Sequence, residues 1–133
     1  MRTPDQIIGS SNDPYMLRWF IRRSREKGNI YLHNILRDDE DTYHDHPWWS
    51  VSIPLWGKLI EYRPGKRPRR LWPLVPYFRR ADQLHYLEVG SKRGKEESPG
   101  NIWSLFITGP KIRNWGFMTD GGWVHWENYH ENF

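Results

Sequence analysis

The sequence predicts an all-β fold in one domain, and three observations carry that expectation. The chain has 133 residues, the size of a single domain. Ten prolines and eleven glycines cut it into short pieces, which leaves few windows long enough for an ordinary helix. Between those breaks lie about eight short runs rich in β-branched and aromatic residues, the spacing of a barrel or sandwich.

Taken in order, the first stretch to Pro14 is polar and is expected as an arm of about 13 residues preceding the domain, which otherwise occupies 1–133 as one unit. Tyr15 to Arg23 is nearly continuous in apolar residues and suits a strand or a short helix. Lys27-Gly28-Asn29 reads as a turn, Ile30 to Leu36 as a strand, and Arg37 to Thr42 as an acidic loop. His44 to Trp56, Gly57-Lys58 and Leu59 to Tyr62 predict strand, tight turn and strand. Pro64 to Arg70 is a basic turn. Leu71 to Phe78 contains two prolines, so it is an edge strand or irregular chain. Leu84 to Val89 is a strand candidate, Ser91 to Gly100 a polar charged loop, and Ile102 to Thr108, Asn114 to Met118 and Trp123 to Trp126 the remaining strands.

Composition narrows the class. Charged residues make up 27% and the hydrophobic set 37%, so no stretch is apolar enough to span a bilayer. Aromatic residues reach 16%, nine of them Trp, which argues against disorder and for a core built on large rings. Without cysteine, disulfide frameworks, thiolate metal sites and cysteine nucleophiles are excluded. Met-Arg-Thr-Pro-Asp-Gln at the N-terminus lacks the apolar core of a signal peptide, so a cytoplasmic location is expected. The net charge of +4 permits contact with a polyanion without requiring it.

The chemistry concentrates in Tyr43-His44-Asp45-His46-Pro47-Trp48-Trp49-Ser50. In a strand, residues two apart share a face, so His44 and His46 project together, with Trp48, Ser50 and Ser52 on the same side. His85 lies on a later strand and shares its face with Leu87 and Val89, which points it inward. Three imidazoles converging inside a barrel are costly unless their lone pairs are used, and a divalent metal uses them. His33, His125 and His130 are expected to be ordinary hydrogen-bonded or exposed histidines. A Ser50–His46–Asp45 hydrolase triad is set aside, because Asp45 faces away from both histidines and no nucleophile-elbow glycines are present.

The segment from His44 to Gly57 resembles the first motif of the cupins, with His44, His46 and Gly57 in place and Ser50 where that motif has glutamate. Pro76 to His85 resembles the second motif, without its usual glycine. The wider pattern is similar to small cupin proteins from phages and bacteria: Asn12-Asp13-Pro14-Tyr15, Tyr31-Leu32-His33, Phe106-Ile107-Thr108-Gly109-Pro110 and Trp115-Gly116-Phe117. The resemblance implies a single-domain cupin, the double-stranded β-helix or jelly-roll barrel, and a metal site formed by His44, His46 and His85. It implies one divalent transition ion, Fe(II) first, with Zn, Ni, Cu or Mn as the other ions such a site takes. Serine in place of glutamate leaves a neutral three-histidine face, as in dioxygenase-like cupins. There Ser50 would donate a hydrogen bond to a metal-bound water or substrate.

Two functions follow as expectations. One is a mononuclear non-haem iron dioxygenase-like enzyme acting on a small molecule. The other is a non-enzymatic accessory or structural cupin whose basic rim meets a partner or nucleic acid. The basic clusters at Arg22 to Lys27, Lys66 to Arg70, Arg79-Arg80 and Lys92 to Lys95 are read as a solvated rim, and nucleic acid is the less favoured partner. The acidic run Asp38 to Asp41 is read as a solvated loop. A homodimer through the apolar strand around Trp19 is expected. A phage-encoded chain would work in the host cytoplasm.

Overall fold

The computed structural model describes residues 2–10, 12–37, 42–89 and 102–128. Within them the β-branched and aromatic runs form β1 (Gln6–Ser10), β2 (Asp13–Arg22), β3 (Ile30–Ile35), β4 (Ser50–Trp56), β5 (Leu59–Tyr62), β6 (Arg69–Leu71), β7 (Tyr77–Arg79), β8 (Tyr86–Val89), β9 (Ile102–Thr108), β10 (Gly116–Thr119) and β11 (Gly122–His125). A single 3₁₀ turn, Trp126–Asn128, follows. One sheet has six strands in the order β1-β2-β3-β9-β4-β7, a second has the order β6-β5-β8, and β10 pairs with β11. Every pairing is antiparallel.

Register arranges the inward residues of the large sheet in rows. Met16, Ile35 and Ile102 are cross-strand neighbours and join Leu59, Leu71 and Val89 of the small sheet in the buried apolar core. Arg18, His33 and Ser104 form the next row, then Phe20, Tyr31, Phe106 and Ser52. The last row is Thr108, Ser50 and Arg79. The large sheet thus has an aliphatic row at one end and a polar row at the other, with a polar and an aromatic row between them.

Several expectations change. The stretch His44–Trp49 is not part of a regular strand, since β4 begins at Ser50. His44 forms only an isolated bridge to His85 and Phe117. Pro47, which has no N–H for a ladder, interrupts this stretch. Within the stretch expected as an arm, Gln6–Ser10 forms β1 against β2. Trp19 is not available as a contact surface. It is 7% exposed, stacks on Trp103 with centroids 5.6 Å apart, and donates its indole N–H to the Arg2 carbonyl at 2.8 Å. The reading of Leu71 to Phe78 as edge strand or irregular chain holds, with β7 at one edge of the large sheet. The acidic run 38–41, the whole 91–100 loop and His130 lie outside the described residues.

Candidate metal centre

Backbone pairing, not a long strand, brings the histidines together. His44 and His85 exchange both backbone hydrogen bonds, N–H to carbonyl at 3.1 and 3.0 Å, the closely tied antiparallel pair. Asp45 N–H bonds the Gly116 carbonyl at 3.1 Å and His46 N–H the Ala81 carbonyl at 3.0 Å, so the chain from 44 to 46 stays extended between two neighbours. Alternation then sends His44 and His46 one way and Asp45 the other. Asp45 is buried and accepts from Gly116 N–H at 2.8 Å, Trp123 Nε1 at 3.0 Å and Arg113 Nη1 at 3.0 Å. Its carboxylate fastens the β10–β11 hairpin behind the histidines and takes no part in a triad.

One candidate ligand nitrogen from each of His44, His46 and His85 lies within 4.8 Å of the others. The ring centroids are 4.9 to 5.2 Å apart. Nδ1 of His46 and Nε2 of His85 are buried without a hydrogen-bond partner, as expected of nitrogens reserved for a ligand. All three imidazoles are held below the ordinary histidine range. Burial is the main cause for each, and His85 is pushed down to about 3 by burial and the nearby Arg79 guanidinium. Neutral rings with free lone pairs are the form that binds a metal.

Glu61 sets the orientation of His85. It is 0% exposed and accepts the Nδ1–H of His85 at 2.8 Å through Oε2, which leaves Nε2 as the lone-pair nitrogen. Burial opposes ionisation of Glu61, but the hydrogen bond from His85 and the charge and hydrogen bond of Arg79 outweigh it and hold the carboxyl well below the usual range. The contact is therefore between a carboxylate and a neutral imidazole. Charge balance comes from Arg79 Nε on Oε2 and Arg69 on Oε1 at 2.7 Å. Arg79 also donates to Ser52 Oγ at 2.7 Å. His44 has a simpler arrangement, with Nδ1 3.2 Å from the Thr42 carbonyl.

Aromatic rings close the surroundings. Trp48 stacks on His46 with centroids 5.3 Å apart and planes 15° apart, and Phe106 packs against Trp48. Trp115 and Phe117 pack edge-on to His44. Ser50 is fully buried with its Oγ unpartnered, on the inward row beside Arg79 and Thr108. His33 is buried and takes a hydrogen bond from Arg18 Nε at 3.0 Å. His125 accepts the Glu127 N–H at 3.1 Å. Neither belongs to the cluster.

Three residues of this site escape sequence reading: Glu61, Arg69 and Arg79. Arg69 and Arg79 fall within runs expected as a solvated rim, yet Arg79 is 1% exposed and both neutralise Glu61. The available signal is alternation: Glu61 follows Leu59 by two residues, so a buried Leu59 implies a buried carboxylate that needs cations.

No family model matches the chain, and no curated protein matches it in sequence. Solved structures do match in fold. A cupin-like protein from Thermotoga maritima is 13% identical, with 91% of each chain covered and a TM-score of 0.61. A cupin superfamily protein from Desulfitobacterium hafniense is 14% identical over 84% of each chain, with a TM-score of 0.55. A structure of FeII HppE is 14% identical, with 81% of this chain and 59% of that chain covered and a TM-score of 0.60. At these identities the likeness speaks to the fold. The strand order, the single barrel and these neighbours agree that the chain has the cupin fold, a one-domain double-stranded β-helix.

Proposed function

We propose that His44, His46 and His85 hold one divalent transition ion, Fe(II) first, and that the protein is a dioxygenase-like metalloenzyme acting on a small molecule. The observation that carries this reading is the set of three neutral imidazoles with candidate ligand nitrogens within 4.8 Å of one another. The fold neighbour HppE, whose structure carries Fe(II) in its name, lends support by analogy of fold. A bound ion supplies Lewis acidity and open coordination positions for substrate and oxygen.

The chain's own residues do the rest. Glu61 keeps His85 in the tautomer whose Nε2 is free, and Arg79 and Arg69 keep Glu61 ionised. The Thr42 carbonyl serves His44 in the same way. Trp48, Phe106, Trp115 and Phe117 exclude water from around the imidazoles. Ser50, buried with a free hydroxyl, is a donor for an oxygen of a bound water or substrate.

Elemental analysis of the purified protein and of His46→Ala tests the site. About one metal per chain is expected in the wild type, with a sharp loss in the variant because two imidazoles hold an ion far more weakly. Equal metal in both would reject the ligand set. Oxygen uptake by the Fe(II)-loaded protein with candidate thiols and diketones then separates the enzyme from a metal-holding accessory protein.

A further inference from the structure

Trp48, whose ring stacks on His46, also lines a pocket of about 500 Å³, a volume suited to one small molecule. Arg23, Arg25 and Lys111 line it together with Ser24, Asn29 and Trp48, and among the described residues no carboxylate does. Among the described residues none of these three cations makes an ion pair. Like charges gathered round a concavity repel one another and focus a positive field into it, and an anion relieves that repulsion.

The wall carrying the arginines is built rather than loose. Ser24 Oγ accepts the Lys27 N–H at 2.9 Å, Asn29 Oδ1 accepts the Ser24 N–H at 3.1 Å, and Asn29 N–H bonds the Thr108 carbonyl at 3.1 Å. Gly28 closes the turn at φ 92°, and a Cβ there would sit 1.9 Å from the Thr108 carbonyl oxygen. Arg23 lies over the Phe20 ring, 4.4 Å from its centroid. Trp48 is common to both places: its ring lines the pocket and also stacks on His46.

We propose that this pocket binds the oxyanion group, carboxylate or phosphate, of a small-molecule ligand, holding it on Arg23, Arg25 and Lys111 beside the Trp48 ring. Its role as a substrate pocket rests on the metal-centre reading above; oxyanion binding itself is measured separately. A volume of about 500 Å³ matches one small molecule, whereas nucleic acid needs a longer basic groove that tracks its backbone.

The test is calorimetric titration of the full-length metal-loaded protein at low salt. The probes are phenyl phosphate, benzoate and, as the uncharged control, benzyl alcohol. At least one anion should bind roughly tenfold or more tightly than the alcohol, and the stronger anion names phosphate or carboxylate as the group. The double variant Arg23→Ala/Lys111→Ala should weaken the anion by roughly tenfold or more at unchanged metal content. If that variant is misfolded by circular dichroism, the single reversal Lys111→Glu takes its place with the same expectation. Equal binding of alcohol and anion, no anion binding, or an unaffected folded variant would overturn the assignment. So would a single-stranded oligonucleotide bound more tightly than either small anion. Repeating the titration on chelator-treated protein separates the two readings. Anion binding by a chain that never takes up metal removes the metal centre and leaves the pocket. Metal uptake without anion binding does the reverse.

Discussion

Leu59 and Glu61 lie two residues apart on one face of β5, both essentially excluded from water, yet they meet chemically different parts of the barrel interior. Around Leu59 the neighbours are Met16, Ile35, Leu71, Val89 and Ile102, and burial itself is the stabilising event, about 25 cal/mol per Å² removed from water. Around Glu61 they are His85, Arg79 and Arg69, and burial is opposed at every atom by lost hydration. The apolar part tolerates imperfect neighbours at a graded cost. The polar part is stable only as a set, since each charge there depends on a particular partner.

The sharpest challenge to this contrast is to cut each part once. Glu61→Gln leaves Arg79 buried without its carboxylate and should cost about 3–5 kcal/mol. In whatever fraction folds, metal affinity should also fall by roughly 10–100-fold, as for other partners that orient a metal histidine. Leu59→Ala should cost about 2–5 kcal/mol while metal affinity per folded chain stays at the wild-type value. Denaturant unfolding with parallel metal titrations reads both quantities, and a Glu61→Gln protein with native metal affinity would erase the distinction.

Ser50→Glu probes the polar part with an added group. The side chain enters a fully buried slot beside Arg79, so an overpacking cost of about 1–3 kcal/mol is expected. If the carboxylate reaches the ion, chelator competition should show tighter metal retention, because an anionic oxygen at about 2.0–2.2 Å adds a bond and neutralises charge. The same carboxylate would occupy an open coordination position and lower any turnover. Unchanged metal affinity would place Ser50 away from the ion.

The smallest effect belongs to His33. Burial and then the Arg18 charge hold its imidazole well below the ordinary histidine range. Arg18 and Tyr31 are the titratable groups packed on it, while β9 offers only Ser104 and Phe106. Native His33 stays neutral where the unfolded chain, near 6.5, takes up a proton. Its contribution is thus complete above about pH 6.5 and is lost as pH falls below that, approaching about 1.4 kcal/mol per pH unit. His33→Gln keeps an acceptor for Arg18 and should flatten the acid limb of a stability–pH curve by one proton. An unchanged slope would mean that native His33 is protonated.

The amino-acid sequence by itself determined the β class, the turn at Gly57 and the parity that sets His44 and His46 against Asp45. Those are local matters of side-chain alternation and backbone freedom, readable from neighbours along the chain. It did not determine that His44 reaches His85 through an isolated bridge in place of a strand, that Trp19 is covered by Trp103, or that Arg79 lies inside while Arg80, its neighbour in sequence, is exposed. Those outcomes depend on pairing between residues far apart in the chain. A buried arginine is admissible only where β5 and β4 bring a carboxylate and a hydroxyl to meet it, because desolvating a charge is offset by specific partners in three dimensions and by nothing adjacent in sequence.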